Sequence, residues 1–478
     1  MLAPLACWLE RAPATSLALE LGEGPLSYGA LLGRVEALAG WLARSALPRG
    51  ATLPALTRST ELLALLAHAA PRAGLALLPL SPALPEPARE GLLTACGARA
   101  LLADREDDAA PRGWLPAAEA LAAARGHAGG PPRHEPLTSP EVHLVCATSG
   151  TGGTPRGVRL TGDNLRAAVA ASAARVPLAP SDAWLACVPL HHVAGLSILY
   201  RCAAAGTAVI LHRRFEVGRV LEDLARRPVT HVSLVPAMLA RLLDEAGDGP
   251  PPGQHLRVAL LGGGPLSPGL LARARRAGWP VCPTYGLTEA ASQVATLCPP
   301  PPADSSPGLV GHPIAGLEVR VVDPGPDGTG HIEIRGPMVT VGYANPEGTP
   351  GLGLEEDGWL PTRDLGRLDP EGRLVVVGRA DDVLVSGGEN VHPVEVEHVL
   401  AGCPGVGEVA VTARPDPRWG DVLVALWTGP ARAEAVEAWA RQHLQGTWRP
   451  RELRHVDQLP LSGPGKLDRK ALRRLARA

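Results

Sequence analysis

The chain lacks the features that mark membrane-spanning, secreted and nucleic-acid-binding proteins. Its 478 residues include only one Phe, four Tyr and three Met. No apolar run approaches the ~18 uncharged residues that a membrane helix needs. A formal net charge of −2 provides no basic surface for nucleic acid or an anionic membrane. Glu10 and Arg11 interrupt the apolar N-terminal residues, which excludes a signal-peptide core. We therefore expect a cytoplasmic protein without a membrane span.

The cysteines show neither close pairing along the chain nor a metal-ligand spacing with histidine. Several lie in apolar runs, which is typical of buried thiols in a reducing compartment. The eight positions are Cys7, Cys96, Cys146, Cys187, Cys202, Cys282, Cys298 and Cys403.

Helix-like and strand-like apolar segments alternate over the first 280 residues or so, which predicts a parallel α/β architecture. The chain is too long for one core, so two or three structural units are expected. The predicted helices cover 28–47, 60–70, 194–204, 217–226, 236–246 and 267–276. The predicted strands cover 53–56, 75–80, 142–146, 184–188, 208–211, 231–235, 258–261 and 280–282. Residues 104–140 read as a loose connection around one helix.

The pattern changes near residue 308 to short β-segments separated by Gly and Pro turns, which predicts a β-rich subdomain up to about residue 378. Its clearest strands are 318–322, 330–335 and 374–377. Beyond residue 380 a small unit of mixed helices and strands is expected. The sequence carries no signal for the oligomeric state.

Residues 148–157 (TSGTGGTPRG) form a glycine- and hydroxyl-rich segment directly after a predicted strand. Glycines let backbone N–H groups turn toward an anion, and Arg156 adds a permanent positive charge suited to phosphate. A flexible linker would have a similar composition. The segment is not a Walker loop, because Gly157 is followed by Val158 where that loop ends in Gly-Lys-Ser/Thr.

This segment resembles the phosphate loop of the adenylate-forming enzymes, [ST]SGTTGxPKG, with Gly152 in place of Thr and Arg156 in place of Lys. The resemblance implies that ATP activates a carboxylate. The residues it assigns to nucleotide binding here are Thr148, Ser149, Gly150, Thr151, Gly153 and Arg156.

Residues 284–289 (TYGLTE) are similar to the YGxTE motif of the same family. By that resemblance Tyr285 would lie against adenine, Thr288 would contact the α-phosphate, and Glu289 would hold Mg²⁺. The residue types suit these roles, since a tyrosine ring offers a stacking face and Mg²⁺ prefers oxygen ligands. Without the preceding glycine segment, such a string indicates an ordinary turn.

Two further segments resemble the family's nucleotide and hinge motifs. Residues 358–366 (GWLPTRDLG) match WxxTGDLG, in which the aspartate takes both ribose hydroxyls, so Asp364 is the candidate here. Arg363 replaces the family's glycine. In residues 378–382 (GRADD), Arg379 would reach ribose or phosphate and Asp381 would be the hinge. Alone, Asp364 reads as a structural cap in a turn, and residues 379–382 read as a charged turn.

The C-terminal motifs resemble those that serve the thiol half-reaction and adenylation. Residues 386–393 (SGGENVHP) match the segment that lines the thiol tunnel, and 419–421 (WGD) resemble the WGE after it. Residues 460–467 (PLSGPGKL) match the lysine motif, whose cation neutralises charge on the carboxylate and α-phosphate. The alternative is a solvated tail charge. The residues concerned are Gly387, Gly388, Glu389, Trp419 and Lys466.

Within the family, residues 189–199 (PLHHVAGLSIL) are similar to the PLFHxSGLSIL of the o-succinylbenzoate–CoA ligases. Residues 231–239, 260–265 (LLGGGP) and 291–296 (ASQVAT) extend the likeness to this subfamily. The resemblance places Gly263 beside the nucleotide, and Gly262 and Gly264 beside the carboxylate substrate.

The implied substrate, 2-succinylbenzoate, carries a second carboxylate and a ketone, so its pocket should hold a cation and polar donors. Arg201 matches an arginine of the subfamily and lies about two helical turns beyond Gly195. His192, Ser292 and Gln293 are the candidate donors, and His192 also a candidate catalytic residue. The competing interpretation makes Arg201 a surface residue and His192 a packed core residue.

The resemblance implies an α/β fold with a large N-terminal region of two α/β subdomains and a β-rich subdomain over residues 1–380. A small mobile α+β domain would cover 381–478. The reaction would use ATP, Mg²⁺ and coenzyme A to convert 2-succinylbenzoate into its CoA thioester through an acyl-adenylate. Two alternatives stay open: another aryl- or acyl-CoA synthetase, and a nucleotide-binding protein without turnover.

Overall fold

The structure is a computed structural model that describes residues 5–22, 24–126, 135–148, 155–247, 253–302, 306–347, 349–387, 389–416, 420–462 and 466–477. Residues 5, 6, 390, 420, 462 and 466 are described through their backbone alone. Within these ranges no helix is long and apolar enough to cross a membrane.

The first part of the chain builds a mixed sheet with helices packed on it, although its first two strands join a later sheet. Its elements are β1 (Leu17–Leu21), β2 (Gly24–Ser27), α1 (Tyr28–Leu42), β3 (Thr52–Leu56), α2 (Thr60–Arg72), β4 (Ala76–Pro79), α3 (Glu86–Ala95), β5 (Ala100–Ala103), β6 (Gly113–Pro116), α4 (Ala117–Gly126), β7 (Val142–Thr148) and β8 (Arg156–Thr161). The sheet order is β6-β5-β3-β4-β7-β8, in which β7 and β8 form an antiparallel hairpin.

A second sheet follows, again with alternating strands and helices. Its elements are α5 (Gly162–Arg175), β9 (Ala183–Ala186), α6 (Val193–Ala205), β10 (Ala208–Leu211), α7 (Val217–Arg226), β11 (His231–Leu234), α8 (Pro236–Ala246), β12 (Val258–Leu261), α9 (Pro268–Arg276), β13 (Val281–Leu287) and β14 (Ser292–Thr296). The order is β14-β13-β12-β11-β9-β10-β1-β2, so the first two strands of the chain complete this later sheet.

The β-rich segment is an antiparallel sheet with the order β15-β19-β18-β17-β16. Its strands are β15 (Leu309–Gly311), β16 (Glu318–Val322), β17 (Gly330–Arg335), β18 (Leu360–Leu368) and β19 (Leu374–Arg379). Asn164 fixes α5 to this part of the chain, because its side-chain amide donates to the carbonyl oxygens of Pro337 and Val339 at 2.8 and 2.9 Å. The same asparagine forms a capping box with Thr161 at the start of α5.

The C-terminal part packs helices on a small sheet with the order β21-β20-β23-β22, and β24 pairs with β23. Its elements are β20 (Leu384–Ser386), β21 (Glu389–Val391), α10 (Pro393–Leu400), β22 (Val409–Asp416), β23 (Gly420–Trp427), α11 (Ala433–His443), β24 (Glu452–His455), β25 (Leu461–Ser462), β26 (Lys466–Leu467) and α12 (Arg469–Arg477).

Burial divides the hydrophobic side chains into separate cores. The largest cluster runs from Trp8 to Leu374 along the chain, and another runs from Leu384 to Leu444. The change of core falls between these two clusters, close to the domain boundary expected at residue 380. That boundary stays a prediction.

All eight cysteines are free thiols, and five of them are buried. Cys282 and Cys298 lie opposite each other beyond the paired residues of β13 and β14, and the thiol of Cys282 donates to Cys298 Sγ at 2.7 Å. This neighbourhood could not be read from their spacing along the chain.

Candidate active site

The glycine-rich segment connects the two strands of a hairpin. Thr148 and Arg156 are cross-strand partners at its mouth, and the Thr148 hydroxyl donates to the Arg156 carbonyl oxygen at 3.4 Å. Ser149, Gly150, Thr151 and Gly153, predicted to bind phosphate, lie outside the described residues. The hairpin nevertheless fixes both ends of the segment, so that Arg156 lies where the loop closes.

Arg156 and Glu289 meet at the ring of Tyr343, a residue that the sequence analysis did not identify. The guanidinium carbon of Arg156 lies 3.9 Å from the ring centroid, within cation–π range. The Tyr343 hydroxyl donates to Glu289 Oε1 at 2.8 Å and accepts a weak bond from Arg156 Nη2 at 3.4 Å. Burial raises the pKa of Tyr343, so the phenol keeps its proton and acts as a donor.

Thr288 and Glu289 occupy a short 3₁₀ turn, Thr288–Ala290, directly after β13. The interpretation of this segment as an ordinary turn is wrong for residues 284–287, since β13 runs through Tyr285 to Leu287 and pairs with β14. Ala291 then adopts φ 52°, in the left-handed region, and ends the 3₁₀ turn. The reversal of the chain places Glu289 beside the end of the β7–β8 hairpin and brings β14 back alongside β13.

Tyr285 and Asp364 join two sheets. The Tyr285 hydroxyl donates to Asp364 Oδ2 at 2.6 Å, and the aspartate is only 6% exposed. Arg379, the cross-strand partner of Asp364, places Nη1 3.7 Å from its other oxygen. Burial raises the pKa of Tyr285, so it too acts as a donor. Three residues that the motifs assign to adenine, ribose and phosphate binding therefore lie in contact. Asp364 lies in β18, so the interpretation of its segment as a turn is wrong.

Asp381 lies at the first residues beyond β19, in a 3₁₀ turn over Ala380–Asp382. Its carboxylate lies 3.2 Å from Arg363 Nη1 and 3.9 Å from Arg379 Nη2. Its carbonyl oxygen accepts a bond of 3.4 Å from Arg473 in the last helix. Arg363, which departs from the family's glycine, thus contacts the residue predicted to be the hinge.

Arg201 is buried on α6, with 5% of its surface exposed. Its Nη2 donates to Ser292 Oγ at 2.9 Å, and its guanidinium lies 5.7 Å from the ring centroid of Trp184. Ser292 adopts φ 139°, a conformation that residues other than glycine rarely adopt. In the described part of the chain no carboxylate lies within ion-pair distance of Arg201. The interpretation of Arg201 as a surface residue is therefore wrong.

His191 and His192 precede α6, and they differ in exposure. His192 is exposed and is the residue preceding α6, and its ring centroid lies 4.5 Å from that of His191. Burial, and next the neighbouring His192, lower the pKa of His191 to about 4, so it is neutral at neutral pH. The interpretation of His192 as a packed core residue is wrong.

Gln293 is 3% exposed, and its amide nitrogen donates to Thr296 Oγ1 at 2.7 Å. Its amide oxygen is buried without a hydrogen-bond partner. Gly262 allows close approach of the chain after β12 to β13, since a Cβ there would lie 2.8 Å from Thr284 Cγ2. Gly263 needs a left-handed backbone, with φ 79°. Gly264 is half-buried beside the ring of Pro236.

The candidate residues for the thiol half-reaction lie in the C-terminal part. Gly387 turns between β20 and β21, and the carboxylate of Glu389 accepts a hydrogen bond from the Thr447 hydroxyl. Gly388 and Trp419 lie outside the described residues. The backbone of Lys466 pairs with that of Ser462 in the hairpin of β25 and β26. The side chain of Lys466 is not described, so its role stays a prediction.

Comparison with known families decides the relationship that the motifs predict. The family model described as AMP-binding enzyme matches residues 8–344, and that of the AMP-binding enzyme C-terminal domain matches residues 395–466.

The chain belongs to the AMP-binding enzyme family.

Individual relatives agree with this assignment. The 2-succinylbenzoate–CoA ligase of Bacillus velezensis is 37% identical over 345 residues, which cover 71% of this chain and 70% of the relative. The o-succinylbenzoate CoA synthetase of Bacillus subtilis in complex with the acyl-adenylate intermediate has a TM-score of 0.86 and 30% identity, covering 99% of this chain and 98% of the other. The same enzyme in complex with ATP and magnesium has a TM-score of 0.87 and 30% identity, covering 99% and 100%.

The predicted membership of the AMP-binding enzyme family and the predicted α/β fold class are both confirmed. The roles of the individual site residues stay predictions, although the fold brings Arg156 to Glu289, Tyr285 to Asp364 and Arg379, and Arg201 to Ser292.

Proposed function

We propose that the chain is an ATP-dependent carboxylate–CoA ligase that converts 2-succinylbenzoate into 2-succinylbenzoyl-CoA, AMP and pyrophosphate. The observation that carries this proposal is the buried guanidinium of Arg201, which bonds Ser292 and has no carboxylate partner among the described residues. A buried charge without a counter-ion costs folding free energy. The second carboxylate of 2-succinylbenzoate would supply that counter-ion, and the relatives described above carry this substrate in their names.

In the first half-reaction a carboxylate oxygen of the substrate attacks the α-phosphorus of ATP. The bond from that phosphorus to the bridging oxygen breaks, and pyrophosphate leaves with the electron pair. Tyr285 and Asp364 would hold the adenosine, and Thr288 the α-phosphate. Lys466 and Arg156 would stabilise the charge that develops on the transferred group.

The donor set near Glu289 fits a magnesium ion that ATP brings with it. In the described residues no group of three His, Cys, Asp or Glu could cage a metal by itself. Mg²⁺ in nucleotide sites is typically bound by one or two carboxylates together with phosphates and water. Glu289 would therefore hold the ion, which supplies positive charge to the phosphate oxygens.

In the second half-reaction the thiolate of coenzyme A attacks the acyl carbon, the bond to the AMP oxygen breaks, and AMP leaves. We place the pivot between the two half-reactions at Asp381 and the domain boundary at residue 380. Gly387, Gly388, Glu389 and Trp419 would line the approach of the thiol. Support comes from the position of Asp381 directly after β19, where the hydrophobic core also changes.

Another aryl- or acyl-CoA synthetase would share the nucleotide motifs but would have no use for a buried cation at Arg201. A nucleotide-binding protein without turnover is motivated by the departures Gly152, Arg156 and Arg363. Glu289 and Asp364 are present and in contact with further site residues, which favours turnover. We propose a cytoplasmic location, since all eight cysteines are free thiols.

The test is a panel of carboxylates scored by CoA-thioester formation. The panel contains 2-succinylbenzoate, benzoate, succinate, malonate and a medium-chain fatty acid. We expect the highest kcat/KM for 2-succinylbenzoate. A preference for benzoate or the fatty acid would overturn the substrate assignment and leave an acyl-CoA synthetase. Absence of pyrophosphate release with every carboxylate would overturn the ligase function itself.

A further inference from the structure

Tyr343 lies between two residues that the motifs assign to the phosphates and to the metal. Its segment runs beside the edge of β8, since Ala344 N donates to the Gly157 carbonyl oxygen at 2.7 Å and Arg159 N to that of Gly342 at 3.1 Å. The segment also holds the backbone of Glu289, whose carbonyl oxygen accepts from Thr340 N at 2.7 Å. One stretch of chain thus sets the positions of the hairpin and of Glu289 relative to each other.

The ring of Tyr343 is held by contacts at one face and at one edge. Arg156 stacks on one face at 3.9 Å. Gly353, with φ 94°, packs so closely at the ring edge that a Cβ there would lie 2.4 Å from Tyr343 Cε2. A glycine is therefore required at that position, and the ring has little freedom to rotate away from Glu289. A pre-organised hydroxyl of this kind orients a carboxylate at small entropic cost.

We propose that Tyr343 is a positioning residue, whose hydroxyl orients the Glu289 carboxylate toward the metal of MgATP and whose ring holds Arg156 at the phosphate loop. The proposal rests on the ligase function proposed above. The hydroxyl donates to Oε1 of Glu289, which leaves Oε2 as the oxygen to face the metal. Groups that hydrogen-bond a metal-ligating carboxylate typically contribute 10- to 100-fold in metal affinity or activity.

The experiment compares Tyr343→Phe and Tyr343→Leu with the wild type in equilibrium binding of α,β-methylene ATP, whose α–β bridge cannot be cleaved. Each protein is titrated with excess Mg²⁺ and with EDTA, and the Mg²⁺ dependence of pyrophosphate release is measured in parallel. Tyr200→Phe is the matched control, because it removes a buried tyrosine hydroxyl that donates to Ala67 O and not to Glu289.

We expect Tyr343→Phe to bind the analogue as the wild type does in EDTA and to lose at least ~10-fold of the tightening that Mg²⁺ gives. The Mg²⁺ concentration for half-maximal pyrophosphate release should rise by a similar factor. Tyr343→Leu should in addition weaken binding in EDTA by about 2- to 5-fold, because the stacking on Arg156 is lost. Tyr200→Phe should match the wild type in all three measurements.

Unchanged Mg²⁺ dependence in Tyr343→Phe would overturn the proposal, and so would equal weakening with and without the metal. Absence of tightening by Mg²⁺ in the wild type would overturn it as well. The proposed ligase function fails separately, if the wild type binds the analogue but releases no pyrophosphate with any carboxylate.

Discussion

Among single residues, Arg201 supports the substrate assignment most directly. Because it is buried, removing its charge should lower activity without lowering stability. Burial lowers the pKa of Arg201 to about 10, so the guanidinium is protonated at neutral pH. Burying this charge lowers the free energy of unfolding, and the full cost is present at every pH below about 10. Arg201→Met keeps the volume and removes the charge. We expect kcat/KM for 2-succinylbenzoate to fall by ~30-fold or more, the equivalent of about 2 kcal/mol. The melting temperature should stay equal or rise.

The control substrate for Arg201→Met is benzoate, which lacks the second carboxylate. Its kcat/KM should change little, so the gap between the two substrates should narrow, and KM for ATP should stay near the wild-type value. A fall in melting temperature with equal losses for both substrates would show that Arg201 is a structural residue.

Contacts between residues far apart along the chain could not be predicted from local sequence patterns. Arg201 and Ser292 are 91 residues apart, and only the resemblance to a subfamily placed both in one pocket. Tyr343 has no such signal, because it reaches Arg156 through an isolated bridge between its own backbone and that of Val158. No local pattern marks a residue whose role arises from a pairing between segments 185 positions apart.

At the scale of the element, α6 depends on a close approach at Gly195. A Cβ at this position would lie 2.4 Å from the carbonyl oxygen of Pro189, which is backbone and cannot move aside cheaply. Gly195→Ala should therefore shift α6, which carries Arg201. We expect a loss of about 1–3 kcal/mol in the free energy of unfolding and a raised KM for the carboxylate.

The matched control is Gly218→Ala in α7, where a Cβ would meet no atom within 4 Å. Because alanine restricts the unfolded chain more than glycine, this change should stabilise the protein by about 0.4–1 kcal/mol. Chemical denaturation of both variants tests the pair. Equal stability of Gly195→Ala and the wild type would contradict the packing described for α6.

Sequence patterns predicted the elements with a clear apolar pattern far better than those without one. The bounds of β10, α7, α8 and β12 were predicted without error, since each is a short apolar or amphipathic block between Gly, Pro or charged residues. Residues 113–116 were interpreted as loose connection, but they form β6, which is exposed at the sheet edge and so lacks an apolar pattern. β1 was missed because it pairs with β10, almost two hundred residues away.

For the whole molecule, the two proposed half-reactions require two arrangements about Asp381. Asp381 lies in a 3₁₀ turn, and Asp381→Pro fixes its φ near −65°. The change between the two arrangements should therefore be impaired. We expect adenylate formation to be retained and thioester formation from supplied acyl-adenylate to be strongly reduced.

Asp381→Ala distinguishes the effect of lost ion pairs from the effect of a restricted backbone. It removes the contacts to Arg363 and Arg379 without restricting φ. Both half-reactions should proceed in this variant. Normal thioester formation in Asp381→Pro would show that the pivot lies elsewhere.

Product analysis of the wild type incubated with 2-succinylbenzoate, ATP, Mg²⁺ and coenzyme A tests the proposed ligase reaction directly. We expect AMP, pyrophosphate and 2-succinylbenzoyl-CoA in equal amounts, and only the acyl-adenylate and pyrophosphate when coenzyme A is omitted. ADP and phosphate in place of AMP and pyrophosphate, or no thioester while benzoate is converted, would contradict it.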